Sequence, residues 1–215
     1  MTRFARAERL ALCDTFEDVG PDAPTLCHPW RTAQLAAHLV IRESRPDLAL
    51  GMLVPALADR LDEAIQERAG QEWASLVDDV RQGPPLWTPA GLLAAADEAM
   101  NTMEMFIHHE DVRRAAAEWE PRELATGHAG ALWSALRRSA GLLYRRADVG
   151  VVLVADGLGR AKVREPGEGH GTVVVRGPAP EVALFSFGRK DVARVDLKGA
   201  DRDVAALRRT DLSIP

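Results

Sequence analysis

The residues best suited to chemistry in this chain lie in the stretch NTMEMFIHHEDVRRA, residues 101–115. Within it Glu104 precedes His108 by four residues, and side chains at that spacing project from one face of a helix, one turn apart. A carboxylate and an imidazole placed in this way can hold one cation, and zinc accepts both ligand types. Because a catalytic zinc site has three protein ligands and an open position, the motif predicts two ligands and requires a third.

A polar stripe runs along the same predicted helix, and its members are Asp97, Asn101, Glu104, His108 and Asp111. Apolar residues cover most of the remaining circumference, so we expect this helix to be buried on more than one side. Asn101, one turn before Glu104, is a candidate to hydrogen-bond a bound ligand or to satisfy a buried polar neighbour. The spacing of Glu104 and His108 also suits an exposed salt-linked pair, so the pair alone leaves both interpretations open.

The candidate third ligand lies in the segment CHPWRTAQLAAHLVIRES, residues 27–44. Thr32 can cap a helix there, which places His38 in mid-helix among apolar residues. A histidine in such a setting is either a core residue with one hydrogen bond or a ligand. Arg42 follows His38 by one turn on the same face, where it either holds a substrate carboxylate or pairs with a nearby acid.

Two further histidines are weaker candidates. His109 points about 100° away from His108 on an ideal helix, so we predict that only His108 is a ligand. His109 is expected to line the pocket rim, to pack against a neighbouring helix or to orient another side chain. His28 is an alternative ligand, but it lies outside the helix that carries His38.

The elements that must position these residues fall into two regions, a helical one followed by one rich in Val and Gly. In the first, apolar residues at three- and four-residue spacing predict helices over residues 3–18, 32–44, 56–69, 72–82, 89–118 and 127–146. Long amphipathic helices with short connections favour an antiparallel bundle of four-helix type, with sites where facing helices point inward.

The second region predicts a small sheet with helices packed on one face. Strands are predicted over residues 149–155, 161–165, 172–177 and 193–199, and helices over residues 179–187 and 201–209. We therefore expect an α+β protein with a helical domain over residues 1–147 and a small α+β domain over residues 148–215.

Composition narrows the class of function. The chain has 215 residues and a net charge of -5, and its arginines are scattered among acidic residues, which argues against a nucleic-acid partner. It lacks both an apolar run of the roughly 18 residues that span a membrane and a signal peptide's apolar core. We therefore expect a cytoplasmic protein with a small-molecule partner. Cys13 and Cys27 are the only cysteines in the sequence, and we expect small buried hydrophobes rather than a disulfide.

Two motifs resemble the DinB-like metal-binding superfamily, in particular the branch that contains mycothiol-dependent maleylpyruvate isomerase. They are PTLCHPWRTAQLAAHL, residues 24–39, and NTMEMFIHHEDVRRA. The family pattern is a tryptophan, a helix ending in Ala-His-Leu and a later Glu-x-x-x-His, which this chain matches with Trp30, His38, Glu104 and His108. The resemblance implies that His38, Glu104 and His108 bind one divalent metal, usually zinc, and ligand type alone leaves nickel, manganese and iron as alternatives.

The resemblance extends to residues 172–207, which are similar to the small sterol-carrier-like domain that often follows the bundle. The overall pattern resembles that of an actinobacterial group of metal-binding proteins in this superfamily more than that of the isomerase itself. The resemblance implies that mycothiol or a similar thiol is deprotonated at the metal and attacks a small electrophile, in a transfer or an isomerisation. It also implies that Arg189 contacts the thiol or the substrate, although an exposed turn arginine is the alternative.

Three hypotheses follow. The first is a thiol-dependent metalloenzyme, a transferase or isomerase, in which Arg42 and Asn101 take part in catalysis. The second is a non-catalytic protein that binds a metal or a small ligand. The third is a structural bundle whose polar stripe is a buried hydrogen-bond network.

Overall fold

The computed structural model describes residues 4–49 and 54–212, without the side chains of residues 49, 55, 89, 90, 94–97, 99 and 100, so Asp97 of the polar stripe lies outside the described side chains. Helices and a four-stranded sheet confirm the predicted α+β class. The chain divides between Pro121 and Arg122 into two compact units, here called the helical unit and the sheet unit. Across the described ranges, none of the helices has the length and apolar character of a membrane-spanning segment.

The helical unit is built from helices that bury apolar faces against one another. They are α1 (Phe4–Val19), α2 (Thr32–Ser44), α3 (Pro46–Ala49), α4 (Ala58–Ala69), α5 (Trp73–Gln82), α6 (Pro89–Leu92) and α7 (Ala94–Arg113), with a 3-10 turn at Pro55–Leu57. Helix α1 packs along α7, while α2 packs on α4 and α5. The prediction of one helix over residues 89–118 was wrong, because Leu93 is extended and separates α6 from α7, which ends at Arg113.

A buried ion pair joins three helices of this unit. Arg9 of α1 lies 2.5 Å from Glu43 of α2, measured between Nη2 and Oε1, and both side chains are almost fully buried. The Nη1 atom of Arg9 also donates to the carbonyl of Val80 in α5, at 3.0 Å. This one guanidinium therefore fixes α1, α2 and α5 against each other.

The sheet unit contains α8 (Thr126–Leu143), β1 (Gly150–Ala155), β2 (Gly159–Arg164), β3 (Thr172–Gly177), α9 (Ala179–Ser186), β4 (Asp196–Lys198) and α10 (Asp201–Arg209). The strand order is β2-β1-β3-β4, and β1 is antiparallel to β2 and parallel to β3. Helix α8 packs on α9 and β2. It therefore groups with the sheet, although the sequence analysis placed it in the helical domain that ends at residue 147.

Candidate metal centre

His38, Glu104 and His108 converge on one point in the helical unit. The Oε1 atom of Glu104 lies 3.4 Å from Nε2 of His38 and 3.2 Å from Nε2 of His108. The three side chains offer ligand atoms that all lie within 4.8 Å of one another. Ligand atoms bonded to a tetrahedral zinc ion at 2.0–2.1 Å are about 3.3 Å apart. The two distances to Glu104 therefore match the spacing of ligands around one cation.

Two facing helices supply these side chains. Glu104 and His108 lie one turn apart on α7, and His38 lies in the middle of α2. The ring of His38 contacts Trp30, at 5.1 Å between centroids, and His108, at 5.3 Å. Trp30 therefore holds the ring of His38 in place. His38, Glu104 and His108 are here called the cluster.

The predicted Thr32 cap at the start of α2 was wrong. The helix begins at Thr32, but the side chain of Gln34 accepts from the backbone N–H of Arg31, at 3.0 Å. The hydroxyl of Thr32 instead donates to the carbonyl of Gly20, at 2.5 Å. The helix that carries His38 is thus anchored to the segment that follows α1.

Burial and hydrogen bonding set the protonation of the three residues. Burial lowers the pKa of His38, which favours the neutral form that a metal ligand needs. Burial alone would raise the pKa of Glu104, but hydrogen bonds from His108 and His38 hold it well below its usual range. Burial alone would lower the pKa of His108. Hydrogen bonds to Asp111, Cys27 and Glu104 instead raise that pKa well above its ordinary value. A cation that binds here must displace a proton from His108, so binding strengthens as the pH rises.

Behind His108 lies a second polar group, in which Cys27 joins His108 and Asp111 of the predicted stripe. The Nδ1 atom of His108 is 2.9 Å from Oδ2 of the fully buried Asp111. The thiol of Cys27 donates to the same oxygen at 3.0 Å, and its sulfur lies 3.8 Å from Nδ1 of His108. Asp111 therefore accepts from Nδ1 and leaves Nε2 of His108 facing Glu104.

Arg42 and Asn101 lie on the other side of Glu104. The Nε atom of Arg42 is 3.2 Å from Oε1 of Glu104. Its Nη1 atom donates to Oδ1 of the buried Asn101 at 2.6 Å. The acid with which Arg42 pairs is thus a member of the cluster itself, and Asn101 fixes the guanidinium.

The remaining candidates lie elsewhere. His109 points to α1, where its Nδ1 is 2.6 Å from Oε1 of Glu8 and its Nε2 is 2.9 Å from Oγ1 of Thr15. Of the three roles expected for His109, this is packing against a neighbouring helix. His28 is exposed and does not belong to the cluster. Arg189 lies in the sheet unit, where its Nη1 donates to the carbonyl of Phe187 at 2.6 Å.

Both cysteines are free thiols, but they differ in their surroundings. Cys13 is buried, as expected, and burial raises its pKa to about 11. Cys27 is only half-buried and hydrogen-bonded to Asp111, so the expectation of a simple buried hydrophobe missed its polar contact. The spacing of His108 and Asp111 along α7 signals their contact, whereas no spacing signals that of Cys27.

Comparison with known proteins identifies the fold. No protein-family model matches the sequence, and no curated protein matches it either. The crystal structure of mycothiol-dependent maleylpyruvate isomerase is similar to this chain with a TM-score of 0.61, covering 91% of this chain and 90% of that chain at 17% identity. A histidine-to-alanine mutant of that isomerase is similar with the same TM-score and coverage at 16% identity. The chain therefore has the fold of this isomerase, as the motif resemblance predicted.

Proposed function

We propose that this chain is a metal-dependent enzyme that uses a low-molecular-weight thiol of the mycothiol type to transform a small electrophile, by transfer or isomerisation. The observation that carries the proposal is the convergence of His38, Glu104 and His108 within a fold shared with a mycothiol-dependent isomerase. The proposal includes a DinB-like four-helix bundle for the helical unit, a sterol-carrier-like sheet unit and a cytoplasmic location. These three rest on the motif resemblance together with the shared fold.

The donor set fits a divalent cation, and zinc is the ion we propose. Two neutral imidazoles and one carboxylate are ligands of the kind found in catalytic zinc sites, and they leave coordination positions open. When bound there, a divalent cation lowers the pKa of a coordinated thiol so that the thiolate is available near neutral pH. His38, Glu104 and His108 would hold the ion, and Asp111 would orient His108 through its Nδ1 atom.

Arg42 and Asn101 are proposed to prepare the site for an anionic substrate. The guanidinium of Arg42 contacts Glu104 and retains 19% exposure, so its positive charge lies at the accessible edge of the cluster. A guanidinium suits recognition of a carboxylate. Asn101 holds Arg42 in this place by accepting its Nη1–H. Arg189 is proposed to contact the thiol or the substrate, and the support for its role is the motif resemblance alone.

Turnover tests the proposal directly. Zinc-loaded protein is incubated with mycothiol and maleylpyruvate, and then with mycothiol and a panel of other small electrophiles. We expect thiol-dependent conversion of at least one electrophile. Arg42→Gln should lower kcat/KM by at least about tenfold with zinc content unchanged, because it removes substrate binding rather than a metal ligand. His28→Ala, which changes an exposed histidine outside the cluster, should retain full activity.

The contrary result would assign a different function. Stoichiometric zinc without mycothiol binding and without conversion of any electrophile would refute the enzyme proposal. The chain would then be a non-catalytic metal-binding protein.

A further inference from the structure

We propose that Cys27, His108 and Asp111 form a second cation site, selective for soft metal ions. Their donor atoms are grouped as closely as those of the first site, which consists of His38, Glu104 and His108. The Cys27 sulfur is 3.0 Å from Oδ2 of Asp111 and 3.8 Å from Nδ1 of His108. The third distance, between Nδ1 of His108 and Oδ2 of Asp111, is 2.9 Å. Atoms that share a tetrahedral ion through sulfur, nitrogen and oxygen are roughly 3.3–3.6 Å apart, close to the mean of these distances.

The donor chemistry distinguishes this set from the first. Both sets contain an imidazole nitrogen and a carboxylate oxygen, but here the third donor is the sulfur of Cys27 instead of the nitrogen of His38. Soft thiolate ligands select soft cations such as Cu(I). Cys27 is the partly exposed member of the three, while His108 and Asp111 are buried.

The hydrogen bonds of the group converge on one carboxylate oxygen. The thiol of Cys27 donates to Oδ2 of Asp111, and Nδ1 of His108 lies within hydrogen-bond distance of the same oxygen. Two donors thus direct protons at one carboxylate oxygen. A cation that replaced both protons would gain sulfur, nitrogen and oxygen as ligands without any movement of α7, because His108 and Asp111 lie one turn apart on it.

The His108 ring links the two sites and makes them compete. A neutral imidazole has one nitrogen with a hydrogen and one with a free lone pair. Nε2 of His108 faces Glu104, whereas Nδ1 faces Asp111. The ring can therefore serve one set at a time, and a soft ion at Cys27 withdraws His108 from the first site. This inference is independent of the proposed thiol chemistry and shares only His108 with it.

Cadmium titration tests the second site, with Cd(II) as the soft probe. Metal per chain is measured after gel filtration, and cadmium–thiolate bonding is followed by its ultraviolet charge-transfer band. We expect one equivalent with the band in the wild type, and the same in His38→Ala, which damages only the first set. Cys27→Ser should bind one equivalent without the band, in the first set. Cys13→Ser is the matched cysteine control and should behave as the wild type, because Cys13 lies outside both sets.

Each other outcome is decisive. Cadmium bound to the wild type without the band, or a band that persists in Cys27→Ser, would overturn the second site. Two tight equivalents in the wild type would overturn the sharing of His108. Circular dichroism verifies folding, and Cys27→Ala repeats the test with a different side chain. If Cys27→Ser binds no cadmium while His38→Ala keeps the band, the second site is supported and the first site is not. Failure of the proposed function is therefore distinguished from failure of the second site.

Discussion

Asp111 fixes the orientation of the His108 ring. Its Oδ2 lies 2.9 Å from Nδ1 of His108, so Nε2 is left to face Glu104. Removing the partner of a metal-ligating histidine typically lowers metal affinity 10–100-fold. We therefore expect Asp111→Asn to weaken zinc binding by about that factor, measured by competition with a chromophoric chelator.

The control for this substitution is Asp14→Asn, which changes an exposed carboxylate paired with Arg81 on the surface. It should leave zinc affinity unchanged. An Asp111→Asn protein that binds zinc as tightly as the wild type would contradict the orienting role of Asp111.

At the scale of residues, the sequence predicts contacts along one helix better than contacts between segments. The pairing of Glu104 with His108 follows from their spacing on α7. The approach of His38 to this pair does not follow from spacing, because it depends on which helix faces α7. The family resemblance implied that His38 joins the pair. The contact of Cys27 with Asp111 has no periodic signal at all, since Cys27 lies before the start of α2.

Among the helices, the Arg9–Glu43 pair holds α2, which carries His38, against α1 and α5. Arg9→Leu would leave the buried carboxylate of Glu43 without the guanidinium and would also remove a donor from the carbonyl of Val80. Breaking a buried ion pair on one side typically costs 3–5 kcal/mol. We expect a loss of about that size in the free energy of unfolding, measured with urea.

Two matched variants sharpen this test. Replacing both partners, as Arg9→Leu with Glu43→Leu, should destabilise less than Arg9→Leu alone, because no uncompensated charge remains buried. Arg45→Leu removes an exposed pair with Asp47 and should change stability by less than about 1 kcal/mol. Equal losses in Arg9→Leu and Arg45→Leu would show that the buried pair does not hold these helices.

Helix bounds were predictable because apolar spacing reports one face of one helix. The prediction of residues 32–44 coincides with α2, and that of residues 3–18 ends one residue before α1 does, while its first residue lies outside the described residues. The break at Leu93 escaped prediction because the apolar pattern continues through it. The packing partner of α8 was not predicted either, because periodicity shows that a helix face is buried but not against which element.

At the scale of the whole molecule, the sheet unit has its own buried polar contact. The hydroxyl of Tyr144 is 2.9 Å from that of Ser186 on α9, and Tyr144 is fully buried. Burial raises the pKa of Tyr144 well above its ordinary value of 10.0, because the folded state disfavours the phenolate. Its contribution to stability is therefore complete below pH 10 and declines as the pH rises above that value.

Tyr144→Phe should reveal this contribution. At neutral pH we expect a loss of about 1 kcal/mol, the usual value of a buried hydrogen bond. Above pH 10 the wild type should lose stability faster than the variant, so the difference between them should shrink in urea unfolding. Ser139→Ala, whose hydroxyl bonds only within α8 among the described contacts, should keep the alkaline decline of the wild type. A constant difference between wild type and Tyr144→Phe would contradict the assignment.

The division of the chain and its chemistry were predictable to different degrees. The change from helical to strand-like patterning gave the α+β class, but it placed the predicted domain boundary at residue 147, whereas the units separate between Pro121 and Arg122. The difference is α8, which is helical in pattern but packs on α9 and β2. The motif resemblance predicted the fold that the chain shares with a mycothiol-dependent isomerase, and the thiol chemistry stays a prediction.

His38, Glu104 and His108 are proposed to bind one divalent metal ion together. The most direct measurement is elemental analysis by mass spectrometry of zinc-reconstituted Cys27→Ser protein, in which the second site is disabled, beside its His38→Ala, Glu104→Ala and His28→Ala derivatives. We expect one zinc per chain in the parent and in His28→Ala, and none in the other two. A parent protein without zinc, or zinc content unchanged by His38→Ala and Glu104→Ala, would contradict the proposed site.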